Sequence, residues 1–274
     1  MALVPFPTSK TVEYDEPDDD PDRHEESEDG SGGKMSFLEH LDELRKRLIW
    51  SIVSLFGGFL ACLAFYERIF EFVMKPLAAT LPPGQKLIYT EPTEAFMLQL
   101  KAAALTGLLI AAPAVMWQLW LFIAPGLYRR EKRLALPFVI SSSLLFLAGA
   151  AFNHYVVFPI AFAFLGGFGT QYLEFMPRVQ PVFSLYARMM IAFGLIFQMP
   201  VLVFTLARLG LVTAGFLFRN TKYAVLIIFV VAAVITPTSD VVTQSLMAAP
   251  MILLYGVSIG IAWLFGRKSE RWEA

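Results

Sequence analysis

Few residues in this chain could do chemistry, and the first group is a short amphipathic run. It reads Ser36-Phe37-Leu38-Glu39-His40-Leu41-Asp42-Glu43-Leu44-Arg45-Lys46-Arg47-Leu48 and leads straight into an apolar segment. Ser36 and Glu39 have the spacing of a capping box, in which each side chain bonds the other residue's backbone N–H. Phe37, Leu41, Leu44 and Leu48 fall on one stripe at helical periodicity, and His40, Glu43 and Arg47 run along its flank. A second charged knot, Arg129-Arg130-Glu131-Lys132-Arg133, follows the next long apolar stretch. Glu43 and Glu131 are thus carboxylates set in basic sequence at the ends of apolar segments. A carboxylate accepts a guanidinium through two parallel hydrogen bonds, a geometry that lysine does not reproduce. Two such groups at one surface suit a ligand presenting two arginines. Each also has an ordinary reading. Glu43 pairs with Arg47 at i,i+4, worth about 0.3–0.5 kcal/mol on an exposed helix, and Glu131 balances the charge of its loop.

The remaining polar positions are scattered. Asp240 stands before the last apolar segment with Gln244 one turn on, and aspartate is a good N-cap. Gln198 lies mid-segment before Pro200, where an amide can bond a neighbouring helix or a carbonyl freed by proline. Asn153 and His154 read as interfacial, not as proton carriers. Glu91, Glu94 and Lys101 lead into an apolar segment and read as surface groups. Metalloprotease, nucleophile-elbow and phosphate-loop motifs are absent, as is any His/Cys metal spacing, so no cofactor, metal or nucleic acid is expected and an enzyme is disfavoured. No series of embedded acids marks an ion path. An ion-coupled small-solute transporter is therefore the weaker alternative, and an intramembrane hydrolase weaker still.

The elements that must position these residues are membrane helices. Of 274 residues, 57% are hydrophobic and 16% charged, and the mean hydropathy is +0.59; a soluble domain carries about 25% charge. The net charge of −1 averages two unlike parts. Residues 1–34 hold 11 of the 23 acids and 3 of the 22 Lys and Arg, which leaves 19 basic against 12 acidic residues in the rest. The acidic start cannot bury enough apolar surface to order itself and reads as a disordered tail, neither signal nor transit peptide. The expected organisation is tail 1–34, a transmembrane domain 35–266 and a short C-terminal tail 267–274. Cys62, the only cysteine, sits inside an apolar helix and reads as a buried thiol.

Six apolar segments can be drawn, at about 49–66, 96–123, 134–158, 185–206, 223–236 and 241–265. Crossing the hydrocarbon takes roughly 20 residues. The fifth is short, and either thins the bilayer or begins earlier with Thr213 as N-cap. The last two are joined by Pro237-Thr238-Ser239-Asp240 alone, which makes them a hairpin. One set of segment ends carries 13 Lys and Arg and the other 6. The richer set is expected in the cytoplasm, with both termini inside. The poorer side has longer loops, 67–93 and 165–184, that could form a small cap.

The segments His40-Leu41-Asp42-Glu43-Leu44-Arg45-Lys46-Arg47-Leu48, Trp120-Leu121-Phe122-Ile123-Ala124-Pro125-Gly126-Leu127-Tyr128, Glu131-Lys132-Arg133 and Val157-Phe158-Pro159 carry a further signal. With them stand Ala192-Phe193-Gly194, Phe197-Gln198-Met199-Pro200, and Thr236-Pro237 followed by Asp240, Gln244 and Pro250. Over residues 36–266 the chain resembles the TatC family, the receptor subunit of the twin-arginine protein translocase. The resemblance implies an all-α polytopic membrane protein of the bacterial cytoplasmic membrane, with six transmembrane helices in a cupped, glove-like arrangement and both termini inside. It implies binding of signal peptides bearing consecutive arginines, and export of folded proteins driven by the proton-motive force. Implied partners are the single-span subunits TatA and TatB, docking at the fifth and sixth helices, and further TatC copies. The resemblance assigns signal-peptide binding to His40, Glu43, Arg45, Phe122 and Glu131. It assigns partner-contact or structural roles to Pro76, Pro113, Gln198, Thr236, Asp240 and Gln244. Where this chain has Gln198 many members carry glutamate, so a polar hydrogen-bonding group, not a titrating one, is expected to suffice there.

Overall fold

The computed structural model describes residues 37–81, 85–123, 135–168, 172, 175–236 and 241–266. The chain divides into two units at His40/Leu41. The first is described only at its last four residues, and the packing below belongs to the second. The acidic tail, the segment around Glu131, Asp240 and the C-terminal tail lie outside the described residues.

Ten α-helices are described: α1 Phe37–Leu63, α2 Tyr66–Ala79, α3 Glu94–Ile123, α4 Ala135–Phe152, α5 Phe158–Gly166, α6 Val179–Ile196, α7 Met199–Arg208, α8 Ala214–Arg219, α9 Thr221–Ile235 and α10 Val241–Phe265. Five stretches are long and apolar enough to cross a bilayer: Glu39–Leu63, Glu94–Phe122, Leu136–Gly166, Val179–Arg208 and Val241–Phe265. The shorter apolar helix Thr221–Ile235 makes the sixth expected segment. No β-strand is formed among the described residues. An isolated bridge joins Ile88 to Arg178, with Val179 N donating to Ile88 O at 2.9 Å.

The breaks in these helices follow from proline and from caps. The third span runs through a π-helical turn, Asn153–Val157, directly before Pro159. Proline lacks an N–H and crowds the carbonyl four residues back, and a widened turn is a common way to absorb this. The fourth span is interrupted at Phe197–Gln198, and Pro200 stands in the first turn of α7. Thr213 does act as a cap, its Oγ1 accepting from Phe216 N at 3.2 Å. The helix it opens, however, is the six-residue α8, which stops at Asn220 before α9 begins. The chain turns from α7 into α8 through Gly210, whose φ of +74° suits glycine best. The loop expected at 67–93 contains α2, which buries Val73, Pro76 and Leu77.

Packing is densest where α10 meets α7, α3 meets α4, and α4 meets α6, followed by α10 with α9 and α2 with α3. Small residues allow the close crossings, as they do generally between membrane helices. A Cβ on Gly149 of α4 would lie 2.4 Å from Phe193 O of α6. One on Gly58 of α1 would lie 2.6 Å from Gly107 O of α3. The main core gathers Leu77, Phe158, Tyr186, Met189, Phe193 and Met247. The first span is bare by comparison, with only 6% of its apolar window buried.

Candidate functional site

Glu43 lies on α1, seven residues into the helix. Its Oε1 accepts from Arg47 Nη2 at 3.1 Å, and the two side chains are 15% and 24% exposed. This is the i,i+4 pair that helical spacing demands. It engages only one carboxylate oxygen. Glu43 Oε2 is shielded from solvent and accepts no hydrogen bond, and Arg47 Nε likewise donates none. A shielded carboxylate with an empty acceptor is under-satisfied, and a charged donor would correct this. Arg45 is exposed on the same helix, and His40 is exposed near its start.

Glu131 lies outside the described residues, but the helix ends that flank its segment are fixed. Trp120 in the last turn of α3 is buried, and its ring lies 4.8 Å from that of Phe138 in the first turns of α4. Phe122, two residues past Trp120, is half-buried at the end of α3.

The remaining predicted positions are spread through the helices. Pro76 is buried in α2, and Pro113 is exposed inside α3. Gln198, at the α6–α7 break, donates from Nε2 to Ser142 O of α4 at 3.0 Å. Gln244 of α10 donates from Nε2 to Phe229 O of α9 at 2.8 Å. Thr236 is buried after α9, its Oγ1 donating back to Ala232 O at 2.9 Å. Asp240 lies outside the described residues. Cys62 is buried and free, as read from the sequence.

One expectation is overturned. Glu94 is not a surface group: it is 4% exposed. Its Oε2 accepts from Thr90 N at 2.9 Å and Glu91 N at 3.4 Å, and its Oε1 accepts from Gln180 N at 3.2 Å. It ties the start of α3 to the first turn of α6. Three backbone N–H groups, two from the turn before α3 and one from the first turn of α6, satisfy the carboxylate, which is why burial is tolerated. Asn153 and His154 are buried inside the protein, being 0% and 4% exposed. His154 Nδ1 lies 2.7 Å from Tyr186 Oη, and its ring stacks on Phe72 at 4.6 Å. The sequence signal for this cluster was the pair of polar residues interrupting an apolar run just before Phe158-Pro159.

Helices of spanning length, with buried polar groups tying helix to helix, define a polytopic α-helical membrane protein. Among the described residues no cluster of His, Cys, Asp and Glu could hold a metal. Residues 39–250 match the family described as Sec-independent protein translocase protein (TatC). A TatC protein of Koribacter versatilis (strain Ellin345) is 47% identical over 240 residues, covering 86% of this chain and 88% of its own. One of Helicobacter pylori (strain J99) is 44% identical over 223 residues, covering 81% and 87%. A crystal structure of the twin arginine translocase receptor TatC superposes with a TM-score of 0.73 at 39% identity, covering 82% of this chain and 98% of that one. The chain belongs to the TatC family of Sec-independent protein translocase proteins. This membership displaces the solute-transporter alternative.

Proposed function

We propose that this chain is the receptor and core subunit of a twin-arginine translocase, reading the arginine pair of signal peptides at the cytoplasmic face. Glu43 and Glu131 grip the two guanidiniums, with His40, Arg45 and Phe122 beside them. The apolar part of the peptide then lies along the helices. The single-span subunits TatA and TatB and further copies of this chain are its partners, and the proton-motive force supplies the work. The chain sits in a bacterial cytoplasmic membrane with both termini inside, as the excess of Lys and Arg at one set of helix ends supports.

The observation that carries the reading is the half-engaged Glu43 carboxylate. One oxygen holds Arg47, and the other is shielded and empty. A charge-assisted hydrogen bond in such a place is worth about 1.5–3 kcal/mol, or roughly a 10- to 150-fold change in affinity. The test is a titration of a twin-arginine peptide against the full chain in nanodiscs, with Glu43→Gln, Glu131→Gln and the double variant. Each single change is expected to weaken binding by about tenfold or more, and a Lys-Lys peptide to bind correspondingly less. Unchanged affinity in the double variant would overturn the proposal.

A further inference from the structure

Away from Glu43, at the end of the fold where α6 begins, a cleft of about 640 Å³ opens between α5 and α6. That is within the roughly 300–1,000 Å³ of small-molecule sites. Phe162 and Leu165 of α5 and Leu185 of α6 form an apolar wall. The charged lining residues are Arg178, Arg188 and Glu91, two guanidiniums against one carboxylate. Arg178 is tethered, its Nη2 donating to Thr90 Oγ1. Arg188 is exposed, and among the described residues no acid lies within ion-pair distance of it.

Arg188 is nine residues past the start of α6, about 13 Å along its axis, in the stretch before the helix breaks at Phe197–Gln198. An arginine in such a place lays its stem along apolar surface and carries its guanidinium toward the headgroups.

We propose that this cleft is a binding site for an anionic phospholipid, with the headgroup phosphate on Arg188 and an acyl chain along Phe162, Leu165 and Leu185. Arg178 is held by Thr90 Oγ1 and lies in the field of the buried Glu94 carboxylate, so Arg188 is the free positive charge that favours a net negative headgroup over a zwitterionic one. The occupant has to be amphiphilic, anionic and resident in the bilayer. The site is independent of the signal-peptide reading, being built from other residues on other helices.

The test uses the full chain in nanodiscs of mixed phosphatidylglycerol and phosphatidylcholine, with spin-labelled versions of each lipid. The wild type is expected to immobilise phosphatidylglycerol about fivefold more strongly than phosphatidylcholine, the effect of one interfacial arginine. Arg188→Lys should keep most of this preference and Arg188→Gln should abolish it. Arg219→Gln, which removes a surface charge elsewhere, should leave it unchanged. Equal immobilisation of the two lipids by the wild type, or a preference surviving in Arg188→Gln, would overturn the proposal. So would loss in Arg219→Gln, which would mean diffuse surface charge. Displacement of the labelled lipid by soluble glycerol phosphate would make this a free-anion site and would also sink the lipid assignment. Finally, phosphatidylglycerol immobilisation that vanishes when a single-span partner is added, with Arg188 crosslinking to that partner's acid, would transfer the site to the partner.

Discussion

A single methyl group at Gly149 tests whether the α4–α6 crossing is held by backbone proximity. An ideal Cβ at this position falls 2.4 Å from Phe193 O and 2.9 Å from both Phe193 C and Phe197 Cγ. The first two are backbone atoms, so α6 itself has to move. Glycine to alanine in a helix interior also has a favourable part, about 1 kcal/mol of propensity. A control removes it: Gly57 of α1 has nothing within 4 Å of an added Cβ. Gly57→Ala therefore reports propensity alone, and the difference between the two variants reports the clash. Overpacking a well-filled site costs about 1–3 kcal/mol. Gly149→Ala is expected to fall below Gly57→Ala by that amount in a reversible unfolding titration of the full chain in mixed micelles. Agreement of the two variants within about 0.5 kcal/mol, the range of inert surface changes, would refute the crossing geometry and the packing argument built on it.

Two further outcomes follow from buried polar contacts. Glu94→Gln turns at least one acceptor into a donor facing backbone N–H groups, so the amides of Thr90, Glu91 and Gln180 should lose protection in hydrogen exchange; unchanged protection would remove the helix-joining role assigned to Glu94. Gln198→Leu deletes the donor to Ser142 O and should cost about 0.6–2 kcal/mol in the same unfolding titration, whereas Gln198→Glu, protonated in the membrane, still carries a donor and should stay near wild type.

Much of the architecture could be read from the sequence because a bilayer admits few solutions. Apolar runs of spanning length have to be helices, since hydrocarbon cannot satisfy a backbone N–H or C=O. The segment drawn at 241–265 coincides with α10. Elsewhere the structure adds breaks that hydropathy does not register. The π turn at Asn153–Val157 and the stop at Phe197–Gln198 leave the apolar pattern intact while redirecting the chain. Thr213 announced a helix start correctly, but nothing in the pattern marked Asn220 as its end; there Nδ2 donates to Phe216 O and closes the turn. The Glu43–Arg47 pair could be read from the sequence because its members are charged and four residues apart on a helix. Glu94 could not, because its partners are backbone N–H groups from residues 90, 91 and 180, and Gln180 lies 86 positions away. Likewise the cleft at Arg188 is made by α5 and α6 side chains that no local spacing relates.

These partners share a pattern that bears on where recognition can occur. Gln198, Gln244 and the hydroxyl of Tyr255 each donate to a backbone carbonyl of another helix. Glu94 accepts from backbone N–H groups of the turn before α3 and of the first turn of α6. Each of these four is satisfied by the protein and serves packing, which spares it the several kcal/mol, roughly, that an unpaired polar atom costs in hydrocarbon. Glu43 differs: one oxygen is committed to Arg47, and the other is shielded from solvent and accepts no hydrogen bond. The division predicts that exchanging amide and carboxyl at position 198 is tolerated, whereas Glu43→Gln is costly. The first role needs a donor to one carbonyl; the second needs a negative charge with an acceptor to spare.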